Sequence, residues 1–264
     1  AARAGYRYVG LRLTRVTPDE VLYDLVHDKP MMRETKARLA ATGVAVNDVE
    51  LFRMDPSLDA ESFIPVLEAA AELGAKNLIA QLPDPDRKRA TERFARLCDL
   101  AKPLGIYVSL EFPHWTETGN LSSAVRVLRA VKRSNAALLF DMLHFARSNS
   151  SLTELASLPR EWFRFVHVCD AVKEVPPTLP GIIHTARDER LFPGEGGIDI
   201  RSILGCMPQD IPYALEIPRI ALTKAVGPEE VALMAIRVAQ SELDGPAKQS
   251  TAPVRNAPPR LKSA

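Results

Sequence analysis

Residues 106–141 read IYVSLEFPHWTETGNLSSAVRVLRAVKRSNAALLFD, and this stretch contains the repeating unit of the chain. It opens with a β-rich apolar run, Ile106–Glu111, and closes with a second such run, Ala136–Asp141. Between them, Leu121–Val131 places apolar residues at helical spacing, directly after Asn120, a residue type that caps helix N-termini. A strand, a helix and a second strand in this order predict a right-handed β-α-β unit with parallel strands.

The same unit repeats along the chain, and four successive steps between strands are each about 29 residues long. The other predicted strands are Arg7–Leu13, Asp48–Met54, Asn77–Leu82, Arg164–Cys169 and Tyr213–Ile217. The other predicted helices are Met31–Ala41, Ala60–Gly74, Lys88–Ala101 and Pro228–Leu243. Strict alternation of this kind is typical of an α/β fold with a parallel sheet, either a closed (β/α)8 TIM barrel or an open doubly wound sheet.

Two features favour the closed barrel. An open doubly wound sheet normally carries a glycine-rich phosphate turn after its first strand, and neither G-x-G-x-x-G nor G-x-x-x-x-G-K occurs here. The length of 264 residues also suits a barrel. Seven strands are recognised instead of eight. A further strand placed one repeat before Arg7–Leu13 would lie upstream of Ala1. We therefore expect the chain as given to lack the first strand of the barrel.

The composition predicts one globular domain and a tail. With 46% hydrophobic residues, residues 1–244 can form a single TIM-barrel domain with a sizeable core. Residues 245–264 contain four prolines and four basic residues but no acidic residue, so we expect a disordered, basic, Pro-rich tail. Without those four basic residues, 30 Lys and Arg stand against 33 Asp and Glu in the domain.

This charge balance gives no reason to expect a nucleic-acid partner. The apolar runs are far shorter than the roughly 20 residues that span a bilayer, so no membrane partner is expected. Three cysteines without C-x-x-C spacing fit a reducing compartment, which predicts a cytoplasmic protein.

Polar residues interrupt four of the apolar strands near their carboxyl ends. These residues are Glu111, Asp141, His167 and Glu216. In a barrel the carboxyl ends of neighbouring strands converge on one mouth, where active sites lie. Buried carboxylates without a partner are costly, so four such residues at one mouth indicate a cation. Three carboxylates and one imidazole suit one divalent metal ion, namely Mn²⁺, Mg²⁺ or Co²⁺.

Further polar residues are expected around the same mouth. His144 follows Asp141 by three residues, and His114 lies just past Glu111. The long segment 173–197 carries His184, Arg187 and Arg190. As a loop over the mouth it would close on substrate, and either arginine would pair with a substrate carboxylate through its guanidinium fork. We therefore predict that His114, His184, Arg187 and Arg190 bind the substrate.

The order of the motifs resembles that of the xylose isomerase-like TIM-barrel superfamily. The motifs are a strand-end Glu, DMLH at 141–144, HVCD at 167–170, PGEGGID at 193–199 and LEIP at 215–218. This superfamily includes sugar and hydroxypyruvate isomerases, ketose 3-epimerases, inosose and 3-dehydroshikimate dehydratases, and type IV AP endonucleases. The resemblance covers residues 5–243. It implies that Glu111, Asp141, His167 and Glu216 hold one divalent metal and that His144 contacts the substrate.

The resemblance also orders the possible functions. The AP endonuclease branch is disfavoured, because the chain lacks that branch's additional histidines. An isomerase or epimerase of a small sugar or keto-sugar-like compound is expected first, acting through an enediolate, with Glu111, Glu216 or His144 taking the proton. A dehydratase of the 3-dehydroshikimate or inosose type, with His114 or His144 as acid, is the first alternative. A barrel that only binds a small polyhydroxy compound or keto acid is the second. Members of the superfamily are often dimers or tetramers, which makes a homo-oligomer possible.

Overall fold

In the computed structural model, which describes residues 1–17 and 20–244, seven parallel strands form one sheet that curls into a nearly closed barrel. The strands are β1 Tyr8–Arg12, β2 Ala45–Arg53, β3 Asn77–Gln81, β4 Tyr107–Glu111, β5 Ala136–Asp141, β6 Phe163–Val168 and β7 Tyr213–Leu215. Each strand pairs in parallel with the next one along the chain. The predicted TIM-barrel fold is confirmed, and all seven predicted strands are present.

Helices follow the strands and cover the outside of the barrel. They are α1 Lys29–Thr42, α2 Ile64–Glu72, α3 Arg87–Ala101, α4 Leu121–Val131, α5 Met142–Arg147, α6 Leu152–Ala156, α7 Leu179–Asp188, α8 Ile200–Gly205, α9 Ile220–Val226 and α10 Pro228–Asp244. The helix predicted over Ala60–Gly74 is divided: a 3-10 turn, Ala60–Phe63, precedes α2. Pro65 starts the α-helical part, because proline fits the first turn, where its missing N–H is not needed.

The strand alternation fixes which residues face the barrel interior. A buried apolar cluster, formed by Leu51, Ile79, Leu139 and Phe165 from four strands, fills the interior. Side chains two residues further along a strand point to the same face. Asp141 follows Leu139 and His167 follows Phe165 by two residues, so both polar side chains lie on the inner face above this cluster. The apolar cluster therefore forms the floor of the polar site at the mouth.

The barrel has one open seam. Within residues 1–17 and 20–244, β1 and β7 are not paired with each other, and a groove of about 900 Å³ lies between them. Tyr8, Tyr213 and residues of α10 such as Ala235 line this groove. The Tyr6 hydroxyl donates a hydrogen bond to the Ala232 carbonyl at 3.0 Å, which ties the entry to β1 to α10. The tail predicted at residues 245–264 lies outside the described residues. No helix within the described part of the chain has both the length and the apolar character needed to cross a membrane.

Candidate metal centre

Four predicted ligands meet at the mouth of the barrel. Glu111 ends β4, Asp141 ends β5, His167 lies near the end of β6, and Glu216 directly follows β7. One ligand atom from each residue lies within 4.8 Å of the ligand atoms of the other three. Asp141 and His167 are also direct partners in the β5–β6 register. The strand ends therefore bring residues separated by up to about a hundred positions into one cluster.

The atoms of this cluster fit a divalent cation. His167 Nδ1 and Glu216 Oε2 are buried and make no hydrogen bond of acceptable geometry, although only 3.0 Å separates them. His167 Nδ1 also lies 3.6 Å from Asp141 Oδ2. Buried polar atoms without aligned partners are rare in native proteins, and a bound cation would satisfy them. Three carboxylates and one imidazole are suitable ligands for a hard divalent ion.

Asp141 joins the cluster to the helix that follows it. It is the N-cap of α5, and its Oδ1 accepts a hydrogen bond from the His144 backbone N–H at 2.9 Å. Its second oxygen, Oδ2, faces the other ligands. An N-cap side chain fixes the direction in which the first turn leaves the strand. This single carboxylate therefore orients both the ligand oxygen and the His144 side chain.

The side chains of the cluster balance one another's charges. Burial, followed by the negative charges of Glu216 and Asp141, raises the pKa of Glu111 to about 8. Burial alone would also raise the pKa of Asp141, but the adjacent Arg190 guanidinium outweighs it and holds the pKa well below its usual range. Burial opposes protonation of His167, yet Glu216 and Asp141 raise its pKa well above the ordinary value. Two positive side chains thus offset the ionised carboxylates.

Arg190 is the second positive group in the cluster. It is only 3% exposed, and its Nη1 lies 2.7 Å from Asp141 Oδ2 and 2.8 Å from Glu216 Oε2. The same nitrogen approaches Cys169 Sγ to 3.4 Å, and Nε donates to the Ala186 carbonyl at 2.8 Å. Arg190, which was predicted to bind the substrate, therefore contacts two of the predicted metal ligands, Asp141 and Glu216.

Two histidines lie beside the ligands. His144 Nε2 is 3.8 Å from Glu111 Oε1, and His144 Nδ1 is 3.5 Å from His114 Nδ1. Burial lowers the pKa of both imidazoles to about 4, so both are neutral near pH 7. Trp115 packs edge-on against both rings. His114 Nε2 is buried without a hydrogen-bond partner among the described residues.

Arg187 and His184 lie on α7, the helix in the long segment between β6 and β7. Arg187 is half-buried. His184 is exposed and its Nδ1 lies 2.9 Å from Asp188 Oδ2 within the same helix. The structure therefore brings five of the predicted residues around Glu111 and Asp141, namely His114, His144, His167, Arg190 and Glu216, but it puts His184 on an exposed face. The roles assigned to these side chains remain predictions.

Two supporting residues were not singled out from the sequence. Gln81, at the end of β3, donates from Nε2 to Glu111 Oε2 at 2.5 Å and so orients this ligand. Asp170 is buried and accepts hydrogen bonds from the backbone N–H groups of Gly194, Gly196 and Ile198 at 2.9–3.0 Å. The sequence contained a signal for both residues, because each is a polar residue at or just after the end of an apolar strand.

The sequence matches one family along most of its length. The family model described as "Xylose isomerase-like TIM barrel" matches residues 1–235. A curated relative, the inosose isomerase of Bacillus licheniformis, is 28% identical over 165 residues, which cover 58% of this chain and 56% of that protein. The chain thus spans about half the length of the curated relatives it matches.

Solved structures share the fold at lower identity. The IOLI protein, solved with a bound zinc atom, has a TM-score of 0.75 and 19% identity, with 92% of this chain and 90% of that one covered. The probable 3-DHS dehydratase AsbF of Bacillus anthracis has a TM-score of 0.67 and 16% identity, with 90% of each chain covered. At such identities the likeness establishes the fold alone.

Proposed function

The chain belongs to the xylose isomerase-like TIM-barrel family, and from this premise we propose that it is a divalent-metal-dependent isomerase or epimerase of a small keto-sugar-like compound. The observation that carries this proposal is the cluster of Glu111, Asp141, His167 and Glu216, with ligand atoms within 4.8 Å of one another. The name of the related inosose isomerases supports a sugar-like substrate. We leave the identity of the ion open among Mn²⁺, Mg²⁺, Co²⁺ and the zinc of the IOLI structure.

When bound, a divalent cation supplies Lewis-acid polarisation of a carbonyl, which acidifies the neighbouring C–H bond. Glu216 is the base that we favour for this proton. Its side chain is 30% exposed, more than those of the other ligands, so it is the most accessible to a substrate in the mouth. Burial would raise the pKa of Glu216, but Arg190 and His167 lower it, so the carboxylate is ionised and ready to accept a proton.

Glu111 and His144 complete the proposed proton transfer. Glu111 lies across the cluster and can return a proton to the neighbouring carbon or to the opposite face, which gives isomerisation or epimerisation. His144 is neutral and buried, and we propose that it donates a hydrogen bond to a substrate oxygen that gains negative charge. The apolar floor formed by Leu51, Ile79, Leu139 and Phe165 keeps water away from below.

Dehydration is the second candidate. The long segment between β6 and β7 favours it, because this segment brings Arg190 to Asp141 and Glu216 at the mouth. In this reaction the base removes a proton from carbon, the neighbouring C–O bond breaks, and the departing hydroxide takes a proton to leave as water. His114 or His144 would supply that proton. Both imidazoles have pKa values near 4 and are unprotonated at neutral pH, so the charge state supports isomerisation over dehydration.

Solvent-deuterium exchange tests the proposal. The protein is reloaded with Mn²⁺ and incubated in D₂O with an inosose or with 3-dehydroshikimate, and the C–H signals are followed by ¹H NMR. We expect exchange next to the ketone without loss of water, slowed at least about 100-fold in Glu216→Gln. The exposed Glu34→Gln, on α1, serves as control and should exchange like the wild type. Loss of water would instead establish the dehydratase, and no reaction with either compound would leave a binding-only barrel.

A further inference from the structure

Two histidines, His114 and His144, meet beside the metal cluster through the same ring nitrogen. His114 Nδ1 lies 3.5 Å from His144 Nδ1, at the long end of the hydrogen-bond range. His144 is 3% exposed and lies on α5, whereas His114 is half-buried in the segment that follows β4. In the proposed function His144 donates a hydrogen bond to the substrate, which requires its proton on the nitrogen that faces the site.

The contact between the two rings couples their tautomers. A hydrogen bond between two Nδ1 atoms holds one proton, so one ring donates and the other accepts. The ring that accepts has a bare Nδ1, and its own proton must then lie on Nε2. Whichever histidine donates at Nδ1 therefore leaves its partner with an Nε2–H group.

The surroundings of His144 Nε2 favour a proton on that atom. Glu111 Oε1 lies 3.8 Å away, and this carboxylate is ionised when it serves as a metal ligand. The negative oxygen attracts an N–H group, whereas it would repel a bare nitrogen lone pair. Gln81 Nε2 donates to the other oxygen of Glu111 at 2.5 Å, which holds the carboxylate in this orientation. His144 is therefore the ring that accepts at Nδ1.

The surroundings of His114 Nε2 favour the complementary tautomer. This atom is buried and has no hydrogen-bond partner among the described residues. Apolar side chains line the space beside His114, and the polar side chains there are Arg147 and Thr185. An N–H group at Nε2 would be a buried donor without an acceptor, close to a positive charge, whereas that charge attracts a bare nitrogen. His114 is therefore the ring that carries its proton on Nδ1.

We propose that His114 is a positioning residue: its Nδ1–H donates to His144 Nδ1, which fixes the His144 proton on Nε2, the nitrogen that lies toward Glu111. Trp115 packs edge-on against both rings, with centroid separations of 5.0 and 5.1 Å, and so limits their rotation. His144 then presents a donor to a substrate oxygen and has no free lone pair with which to act as a base. This inference rests on the proposed function, because it places the proton of a side chain that the proposed function uses.

Long-range ¹H–¹⁵N NMR correlation of the histidine rings tests this assignment, because it distinguishes Nδ1–H from Nε2–H directly. The chain has five histidines, which keeps the spectrum simple. The sample is the Zn²⁺-loaded protein without substrate, since Zn²⁺ is diamagnetic, and the His144 signals are assigned by their loss in His144→Gln. We expect wild-type His144 to carry its proton on Nε2 and wild-type His114 to carry its proton on Nδ1.

Substitutions of His114 separate positioning from packing. In His114→Asn the amide N–H can replace Nδ1–H, so His144 should keep its proton on Nε2 alone. In His114→Asp the carboxylate in the same place only accepts, so His144 should gain a proton on Nδ1. His27→Gln, exposed just before α1, is the control and should leave the His144 signals unchanged. All of these variants should hold about as much Zn²⁺ as the wild type, because none of them removes a ligand.

Deuterium exchange by the Mn²⁺-loaded variants measures the consequence for the reaction. His114→Asn should exchange within about 5-fold of the wild type, and His114→Leu, which has no donor, should be slowed about 10-fold or more. Equal slowing of the two variants would contradict positioning by a hydrogen bond. The assignment is also overturned if wild-type His144 carries a proton on Nδ1, or if His114→Asp leaves the His144 tautomer unchanged.

The NMR readout needs no activity, so it separates this inference from the proposed function. A proton on His144 Nε2 that depends on His114, without exchange of either ketone, would retain the positioning role and remove the enzyme. Exchange by a wild type whose His144 carries a proton on Nδ1 would do the reverse.

Discussion

The protonation state of Glu111 affects the free energy of unfolding of the metal-free protein. Its folded-state pKa of about 8 lies above the ordinary value of 4.5, because the carboxyl group is buried near Glu216 and Asp141. Between these two pH values the folded protein holds a proton that the unfolded chain has lost. The stability contributed by the protonated group is therefore fully present below about pH 4.5 and is lost as pH rises through about 8.

We predict that Glu111→Gln makes the metal-free protein less sensitive to pH in this window. The amide cannot ionise, so the decrease in unfolding free energy between pH 5 and pH 8 should be smaller than in the wild type. Urea unfolding of EDTA-treated protein at both pH values measures the difference. Glu34→Gln, exposed on α1, should behave like the wild type. Identical pH dependence in wild type and Glu111→Gln would show that this carboxyl does not retain its proton.

At the scale of single residues, the sequence was most informative about strand ends. Glu111, Asp141 and His167 could be predicted together with Glu216 because four polar residues fall at the same depth of four strands whose carboxyl ends converge. Arg190 could be placed only near the mouth, since its contact with Asp141 spans 49 positions and depends on how the intervening segment folds. His184 was grouped with Arg190 because the two are close in sequence, but α7 ends at Asp188 and Arg190 lies beyond the helix that carries His184.

Among the elements, the segment after β6 shows how one side chain organises a loop. Asp170 receives the backbone N–H groups of Gly194, Gly196 and Ile198, which wraps the PGEGGI segment around its carboxylate. A Cβ on Gly196 would lie 2.2 Å from the Ala171 carbonyl oxygen and 2.4 Å from Asp170 Oδ1. Only glycine fits such a close backbone approach. The loop in turn precedes β7, whose end is followed directly by the ligand Glu216.

We predict that Gly196→Ala destabilises the protein by about 1–3 kcal/mol, because the added methyl group forces the loop away from Asp170. Gly205→Ala is the matched control. Gly205 is the last residue of α8, and nothing lies within 4 Å of a Cβ built at that position. Ala there should be neutral or slightly stabilising. Thermal or urea unfolding of both variants measures the contrast. Equal stability of the two variants would contradict the role given to the Asp170 loop.

Helix α7 was not predicted, and the reason is specific. Segment 173–197, which contains Pro176, Pro177 and Pro180, was interpreted as a loop over the mouth. Thr178 accepts the Gly181 N–H and caps α7, and Pro180 lies in the first turn, where proline is favoured. Proline near Thr thus signals a helix start as readily as a loop. By contrast, Leu121–Val131 was predicted with its observed bounds, because a cap and a regular apolar face coincide there.

For the molecule as a whole, the alternation of strands and helices predicted a parallel α/β sheet, and the missing glycine-rich turn together with the chain length favoured the closed barrel. Crossovers between parallel strands are right-handed in nearly all proteins, and that rule leaves few topologies. The order β1 to β7 follows the chain without exception. The substrate could not be predicted in the same way, because side chains from outside the strands, such as Arg190, also reach the mouth.

The metal content of the protein tests the central claim most directly. Wild type and an Asp141→Asn/Glu216→Gln variant are stripped with EDTA, reloaded with Mn²⁺, desalted and subjected to elemental analysis. The account predicts about one ion per wild-type chain and a loss of stoichiometric binding in the variant, because two of four ligands become neutral amides. The wild type would contradict the account if it held no stoichiometric ion after reloading with Mn²⁺, Mg²⁺, Co²⁺ or Zn²⁺, or if the variant held the ion equally well.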